Sequence, residues 1–230
     1  MKKLIFACLI IANYTVGSAQ VVGRYGAGDI TEYLNPIQSN RLFNETEKRI
    51  KVIDGTQYLF PSWQGIYEIY FHDKKKYVIE NLNYNIKSQS LEFKIKNDSV
   101  FQFDSNKIDF IKNYLGKYKF YNINDNNQLC QELYMSNTMI LLRGYAVKLV
   151  DEVINPMTKE LISNARYEKK NRYFCKINEN EITEIVLKRK QILKLFGDKM
   201  KEVEAYVSKS KLSYTSEKDL LQIFQYYDSI

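Results

Sequence analysis

Between Gly65 and about Ile111, apolar side chains return at every second position. They run through residues 66–71, then Leu82, Tyr84 and Ile86, then Leu91, Phe93 and Ile95, then Phe101 and Phe103, and finally Ile108 and Phe110. A strand turns successive side chains to opposite faces, so this set lies on one side of an antiparallel sheet and its polar neighbours on the other. A helix of period 3.6 cannot keep such a set together. Residues 87–90 and Asn97-Asp98 supply turns between neighbouring strands. Further runs at 118–123, 131–135, 139–150, 173–177 and 182–187 extend the count to nine or ten strands. An antiparallel meander of that size is expected to curl into a barrel- or clam-like sheet. Upstream, residues 49–53, Asp54-Gly55 and residues 56–60 read as strand, two-residue turn and strand.

The period changes near the end of the chain. Ile192, Leu195 and Phe196, then Met200, Val203 and Val207, then Leu220, Ile223, Phe224 and Tyr227 recur at helical spacing. This predicts three short amphipathic helices packed against the sheet, with Asp198 and Ser216 as N-caps. The fold class is therefore mainly β with an α+β arrangement.

The beginning of the chain bears on compartment. Lys2 and Lys3 precede an apolar stretch from Leu4 to Ile11, and Gly17-Ser18-Ala19 presents the small residues a signal peptidase accepts. Residues 1–19 are expected to be a removable signal peptide and 20–49, with three glycines and Pro36, an irregular arm. Residues 50–187 are then the antiparallel β domain and 188–230 the helical cap. No stretch reaches the length of about 18 apolar residues needed to span a bilayer, so no transmembrane helix is expected in the mature chain. Export bears on Cys130 and Cys175, which remain after processing. They can form a disulfide or stay two separate buried thiols, because sequence does not place their side chains.

Several chemistries are poorly supplied. His72 is the one imidazole and lies in a charged turn with Asp73, Lys74, Lys75 and Lys76, so nucleophilic triads and zinc sites lack their usual residues. Asn122 to Asn127 lack the glycine and glutamate spacing of a calcium loop and read as a hairpin tip. Ser208-Lys209-Ser210-Lys211 matches an acyl-serine spacing without its partner motifs. Glu80, Asp104, Asp109 and Glu132 could supply a carboxylate pair for glycoside hydrolysis, but no spacing selects two of them. No cofactor is expected. Nineteen tyrosines suit both a large sheet and a binding face.

Charge is more directive. The chain carries 34 Lys and Arg against 27 Asp and Glu, a formal +7, which falls to +5 once the leader is removed. Between Arg166 and Lys201 there are eleven Lys or Arg and five acids. Arg166, Lys169, Lys170, Arg172, Lys188, Arg189 and Lys190 are thus the candidate contacts for an anionic surface or an acidic partner. Export disfavours nucleic acid and leaves lipid headgroups, lipopolysaccharide or a protein.

The segment 55–65, Gly-Thr-Gln-Tyr-Leu-Phe-Pro-Ser-Trp-Gln-Gly, followed by Leu82-Asn83-Tyr84-Asn85, resembles an uncharacterised family of exported Bacteroidota proteins. Leu193-Lys194-Leu195-Phe196-Gly197-Asp198-Lys199 with Glu202, then Glu217-Lys218-Asp219-Leu220 and Tyr226-Tyr227, is similar to that family's ending. The family has no assigned activity, so the resemblance implies export and carries over no catalytic residue. Asp98-Ser99-Val100 is similar to a short O-glycosylation signal of the same phylum. The expected function is non-catalytic: an envelope protein in the periplasm, at the outer membrane or secreted, binding a protein partner or an anionic surface. A carrier of an apolar ligand or lipid and a carboxylate-pair hydrolase are the alternatives.

Overall fold

The computed structural model describes residues 23–24, 31–35, 52–94 and 100–230. Residues 1–22, 25–30, 36–51 and 95–99 lie outside the described residues, and with them the expected leader, most of the expected arm, Ile95, the Asn97-Asp98 turn and Ser99. Three two-residue strands come first: β1 (Gly23–Arg24), β2 (Leu34–Asn35) and β3 (Ile53–Asp54). The body contains β4 (Tyr67–Phe71), β5 (Lys76–Ile79), β6 (Leu82–Asn85), β7 (Ser90–Lys94), β8 (Val100–Phe103), β9 (Ile108–Asn113), β10 (Gly116–Ile123) and β11 (Asn126–Met135). It continues with β12 (Met139–Val150), β13 (Val153–Ile154), β14 (Leu161–Ser163), β15 (Ala165–Ile177) and β16 (Thr183–Ile185). The helices α1 (Arg189–Lys194), α2 (Met200–Lys209) and α3 (Glu217–Ser229) close the chain.

The mainly β architecture with three C-terminal helices is therefore the one that forms. Its large sheet runs β1-β5-β4-β9-β10-β11-β12-β15-β16, with β3 beside β15, and its path does not close into a barrel. β2, β8, β7 and β6 form a separate four-stranded sheet, so β6 to β8 leave the meander between β5 and β9. Every contact in the two sheets is antiparallel except β1 with β5 and β3 with β15.

Two local expectations are corrected. Asp54-Gly55 is not the turn of a hairpin: Ile53 and Asp54 lie parallel to Ala165 and Arg166 of β15, and residues 56–60 form no strand beyond a bridge from Tyr58 to Asn85. Gly55 has φ +78°, and a Cβ there would stand 3.2 Å from the Tyr167 carbonyl oxygen, so the glycine lets the chain cross the β15 edge. Phe110 is not on the core face. Phe71 pairs with Ile108 while Tyr70 pairs with Phe110, so Asp109 is an extra residue. This β-bulge turns Phe110 to the opposite side.

The main core fills the space between the two sheets with Tyr67, Ile69, Phe71, Tyr84, Leu91, Phe103, Ile111, Tyr118 and Leu129 among others. A second cluster packs Ile192, Phe196, Val203, Val207, Leu220, Ile223 and Phe224 of the helical cap on Met139, Leu141 and Cys175. Each fully buried aliphatic or phenyl group contributes about 1.5–3 kcal/mol. Ser216 caps α3 as expected, its hydroxyl accepting the Asp219 N–H at 3.3 Å. Asp198 is not an N-cap: it sits in a short 3-10 turn, and Lys199 precedes α2 without a side-chain cap. The cap is pinned by polar contacts too. The Arg143 guanidinium donates to both Glu217 carboxylate oxygens at 2.9 Å, and Asp228 accepts the hydroxyls of Tyr134 and Ser136 at 2.7 and 3.0 Å and that of Thr138.

The disulfide alternative is also corrected. Cys130 packs with Ile123, Leu142 and Phe174 on one face of the large sheet, whereas Cys175 pairs with Leu141 and joins the cluster under the helices. With β12 between them and opposite sides occupied, the two thiols are free and buried. Burial pushes each of them up to about 12.

The two motif segments of the family resemblance meet in space. Asn83 accepts the N–H of Phe60 at 3.0 Å and returns a donor to the Phe60 carbonyl at 3.0 Å, fastening residues 58–63 as a strap across β6. Glu92, buried, accepts from the Tyr58 hydroxyl at 2.8 Å and from Asn85 and Ser90 at 3.0 and 2.8 Å. These residues serve packing.

Candidate functional site

The four-stranded sheet and the helical cap both pack on one face of the large sheet. On the other face Ile123, Cys130, Leu142 and Phe174 form a small buried cluster under Tyr121, Ile140 and Ile182, and charged side chains surround it. Register assigns the residues of this face. Tyr70 stands opposite Lys76 and Phe110, Glu68 opposite Lys112, and Lys112 opposite Lys117. Farther along, Leu142 and Glu184 stand opposite Phe174, Gly144 opposite Arg172, Ala146 opposite Lys170, Lys148 opposite Glu168, Val150 opposite Arg166 and Ile140 opposite Lys176. Lys119, opposite Cys130, reaches Asp109 at 3.0 Å, and Lys117 reaches Glu132 at 2.8 Å. Nine basic side chains thus share this face with five acidic ones: Lys76, Lys112, Lys117, Lys119, Lys148, Arg166, Lys170, Arg172 and Lys176 against Glu68, Asp109, Glu132, Glu168 and Glu184.

An aromatic pair organises one end. Tyr70 and Phe110 stack with centroids 4.2 Å apart and planes inclined by 23°. Lys76 sits 5.2 Å from the Tyr70 centroid, Lys117 4.7 Å from that of Phe110, and Lys112 5.5 and 5.3 Å from the two rings. Such contacts hold ammonium groups over the ring quadrupoles with about 0.5–1 kcal/mol each at exposed sites. Lys76 is also bound to Glu68 at 2.8 Å, and that hydrogen bond holds the Glu68 carboxyl below its ordinary range and raises the lysine. Lys112 is exposed and stands opposite Glu68, where its charge adds to the lowering of that carboxyl.

At the other end Arg172 lies over the Phe174 ring at 5.0 Å and donates to Glu184 at 2.8 Å, a bond that lowers the glutamate's pKa. Phe174 can lie flat because residue 144 is glycine: a Cβ there would be 2.6 Å from its ring.

The basic residues singled out from the sequence are divided. Arg166, Lys170 and Arg172 are on the open face, Arg166 paired with Glu168 at 2.7 Å. Lys169 points the other way and donates to the Tyr58 carbonyl at 2.7 Å, and burial lowers its pKa. Lys188, Arg189 and Lys190 begin the helical cap, where Arg189 binds Glu204. The set is therefore not one patch. Lys76, Lys112, Lys117, Lys119, Tyr70 and Phe110 were not singled out, although all but Phe110 occupy the polar phase of the alternating segments or their neighbours. The bulge at Asp109 hid Phe110.

The remaining candidates serve the fold. His72 is exposed in the turn after β4, and Asn124 and Asp125 form the β10–β11 tip with φ of 51° and 61°. Asp104 caps a 3-10 turn, Asp109 and Glu132 bind lysines, and Glu80 is exposed. No cluster of three metal-ligating side chains occurs among the described residues, and no helix there is long and apolar enough to cross a membrane. Comparisons with protein-family models, curated proteins and solved structures returned no match.

Proposed function

We propose that the protein is an exported, non-catalytic envelope protein that binds an anionic component of the cell envelope through the open face of its large sheet. The observation that carries this is the excess of basic over acidic side chains on a face against which neither the small sheet nor the helical cap packs. Fields of this kind concentrate anions and steer them to the surface. The aromatic filling between the two sheets supports surface binding over carriage of an apolar ligand inside the fold. The leader-like segment 1–19 and the family resemblance support export.

Sedimentation of the mature protein with outer-membrane vesicles tests the proposal. Binding is expected at low ionic strength and should fade towards 1 M salt, where the screening length falls to about 3 Å. Reversal of Lys112, Lys170 and Lys176 to glutamate should abolish it. Salt-insensitive binding, or binding indifferent to those reversals, would refute the proposal.

A protein partner is supported by a separate feature, the ribbon of β13 and β14 that extends the β12–β15 hairpin. Leu149, Val153, Ile154, Met157, Leu161 and Ile162 are all exposed there, Met157 to 90%. Exposed apolar clusters of this kind mark contact sites. Serine at Met157 and Ile162 should then release a co-purifying partner while leaving vesicle binding intact.

A further inference from the structure

We infer that the ligand of the open face is an extended acidic polysaccharide, laid across β5, β4, β9 and β10 along the row Lys76, Tyr70, Phe110 and Lys117, with Lys112 as its central contact. This rests on the anionic-surface proposal and names the ligand class for the same face.

Successive steps from Lys76 to Tyr70, to Phe110 and to Lys117 measure 5.2, 4.2 and 4.7 Å, with Lys117 set diagonally from Phe110 and opposite Lys112. The repeat follows from strand spacing of about 4.8 Å, since the row crosses the strands instead of following one. Cations arrayed in this way match an anion whose charges repeat along a chain better than a single small anion. Each ammonium is also held over a ring, so less side-chain freedom is lost when a chain binds.

The acids in the row select the polymer. Glu68 and Glu132 stand beside Lys76 and Lys117 at 2.8 Å. To a polyphosphate, which offers few hydrogen-bond donors, those carboxylates are repulsive. A uronic-acid chain presents carboxylates for the lysines and hydroxyl donors for Glu68, whereas Glu132 is nearly buried and already accepts from Tyr121 and Lys117. Nucleic acid is disfavoured further, because single strands are held by stacking on open ring faces. Here the Tyr70 and Phe110 faces are taken by each other and by lysines.

Native gel electrophoresis of the mature chain through polygalacturonate, polyphosphate or neutral dextran tests the inference, with galacturonate monomer as competitor. Polygalacturonate should retard the protein, dextran should not, and polyphosphate of equal charge should retard it less. The monomer should compete far less well than the polymer. Lys112→Gln should weaken polygalacturonate binding about threefold to fivefold, the effect of one exposed ion pair near 1 kcal/mol, while the far-ultraviolet circular dichroism of the folded protein is unchanged because Lys112 is exposed. Equal or tighter binding of polyphosphate, or an unaffected K112Q protein, would overturn the inference. If vesicles sediment the protein in a salt-sensitive way but polygalacturonate neither binds nor competes, this inference fails and the anionic-surface proposal stands. If neither binds, both fail.

Discussion

Replacing Asn83 by alanine should unfasten the strap that crosses the small sheet. Asn83 is 1% exposed and makes three strong contacts through one amide: it accepts from the N–H groups of Phe60 and Tyr84 at 3.0 and 2.9 Å and donates to the Phe60 carbonyl at 3.0 Å. Truncation leaves the Phe60 N–H and C=O without partners in a place where Phe60 itself is 5% exposed. An orphaned buried polar group costs about 1–3 kcal/mol, so the two together should cost about 3 kcal/mol, with Tyr84 retaining its strand neighbours. For a chain of this size 1 kcal/mol moves Tm by about 2–4 °C, which gives a fall of about 6–12 °C. Trp63, the single tryptophan, is the reporter: it lies in the strap, 4.8 Å from the Tyr58 ring and beneath Lys94 at 4.7 Å. Thermal melts followed by circular dichroism should show the lower Tm, and Trp63 emission of the folded N83A protein should move to longer wavelength as the indole becomes wetter. A Tm within about 2 °C of the parent, which corresponds to less than about 1 kcal/mol, together with unchanged emission, would refute the clamp.

Two further outcomes follow from groups the fold buries or pairs. Neither Cys130 nor Cys175 should react with a thiol reagent at pH 8 in the folded protein, since burial raises both thiols to about 12, and both should react in denaturant. A native mass lower by two hydrogen atoms would show a disulfide where the structure has two free thiols. Asp228 has a lowered pKa because Thr138, Tyr134 and Ser136 donate to its carboxylate. A lowered folded pKa contributes stability that is complete above the ordinary value of 3.8 and is lost as pH falls through the folded value. Denaturant titrations should therefore show Asp228→Asn less stable than the parent near neutrality and the gap closing below about pH 4. A gap that persists unchanged into acid would show that the carboxylate's charge is not what holds α3.

Much of the fold was legible because its cause is periodic. Alternation between residues 66 and 110 marks positions that must share a face, and the return of Leu220, Ile223, Phe224 and Tyr227 at helical spacing marks α3. What alternation cannot reveal is which strand pairs with which. β6, β7 and β8 carry the same period as β4 and β9, yet they pair among themselves and cover the large sheet instead of joining it. Gly55 was visible as a turn residue, but its need for glycine comes from Tyr167, more than a hundred positions away. The extra residue at Asp109 was equally hidden, because a bulge exists only relative to a partner strand.

The same distinction explains why the open face was read only in part. A run such as Arg166 to Lys190 is conspicuous on paper because its charges are neighbours in sequence. On a strand, however, Lys169 and Lys170 point to opposite sides, and here one is tied to the Tyr58 carbonyl while the other faces solvent. Lys76, Lys112 and Lys117 come from three different strands and attract no notice individually, yet register brings them onto one side around a single aromatic stack. Binding chemistry on a sheet is assembled across strands, so the informative sequence signal is the charge of alternate residues summed over neighbouring strands. Applied to β4, β5, β9 and β10, that sum picks out Glu68, Lys76, Lys112, Lys117 and Lys119, and only the bulge must be known before Phe110 joins them.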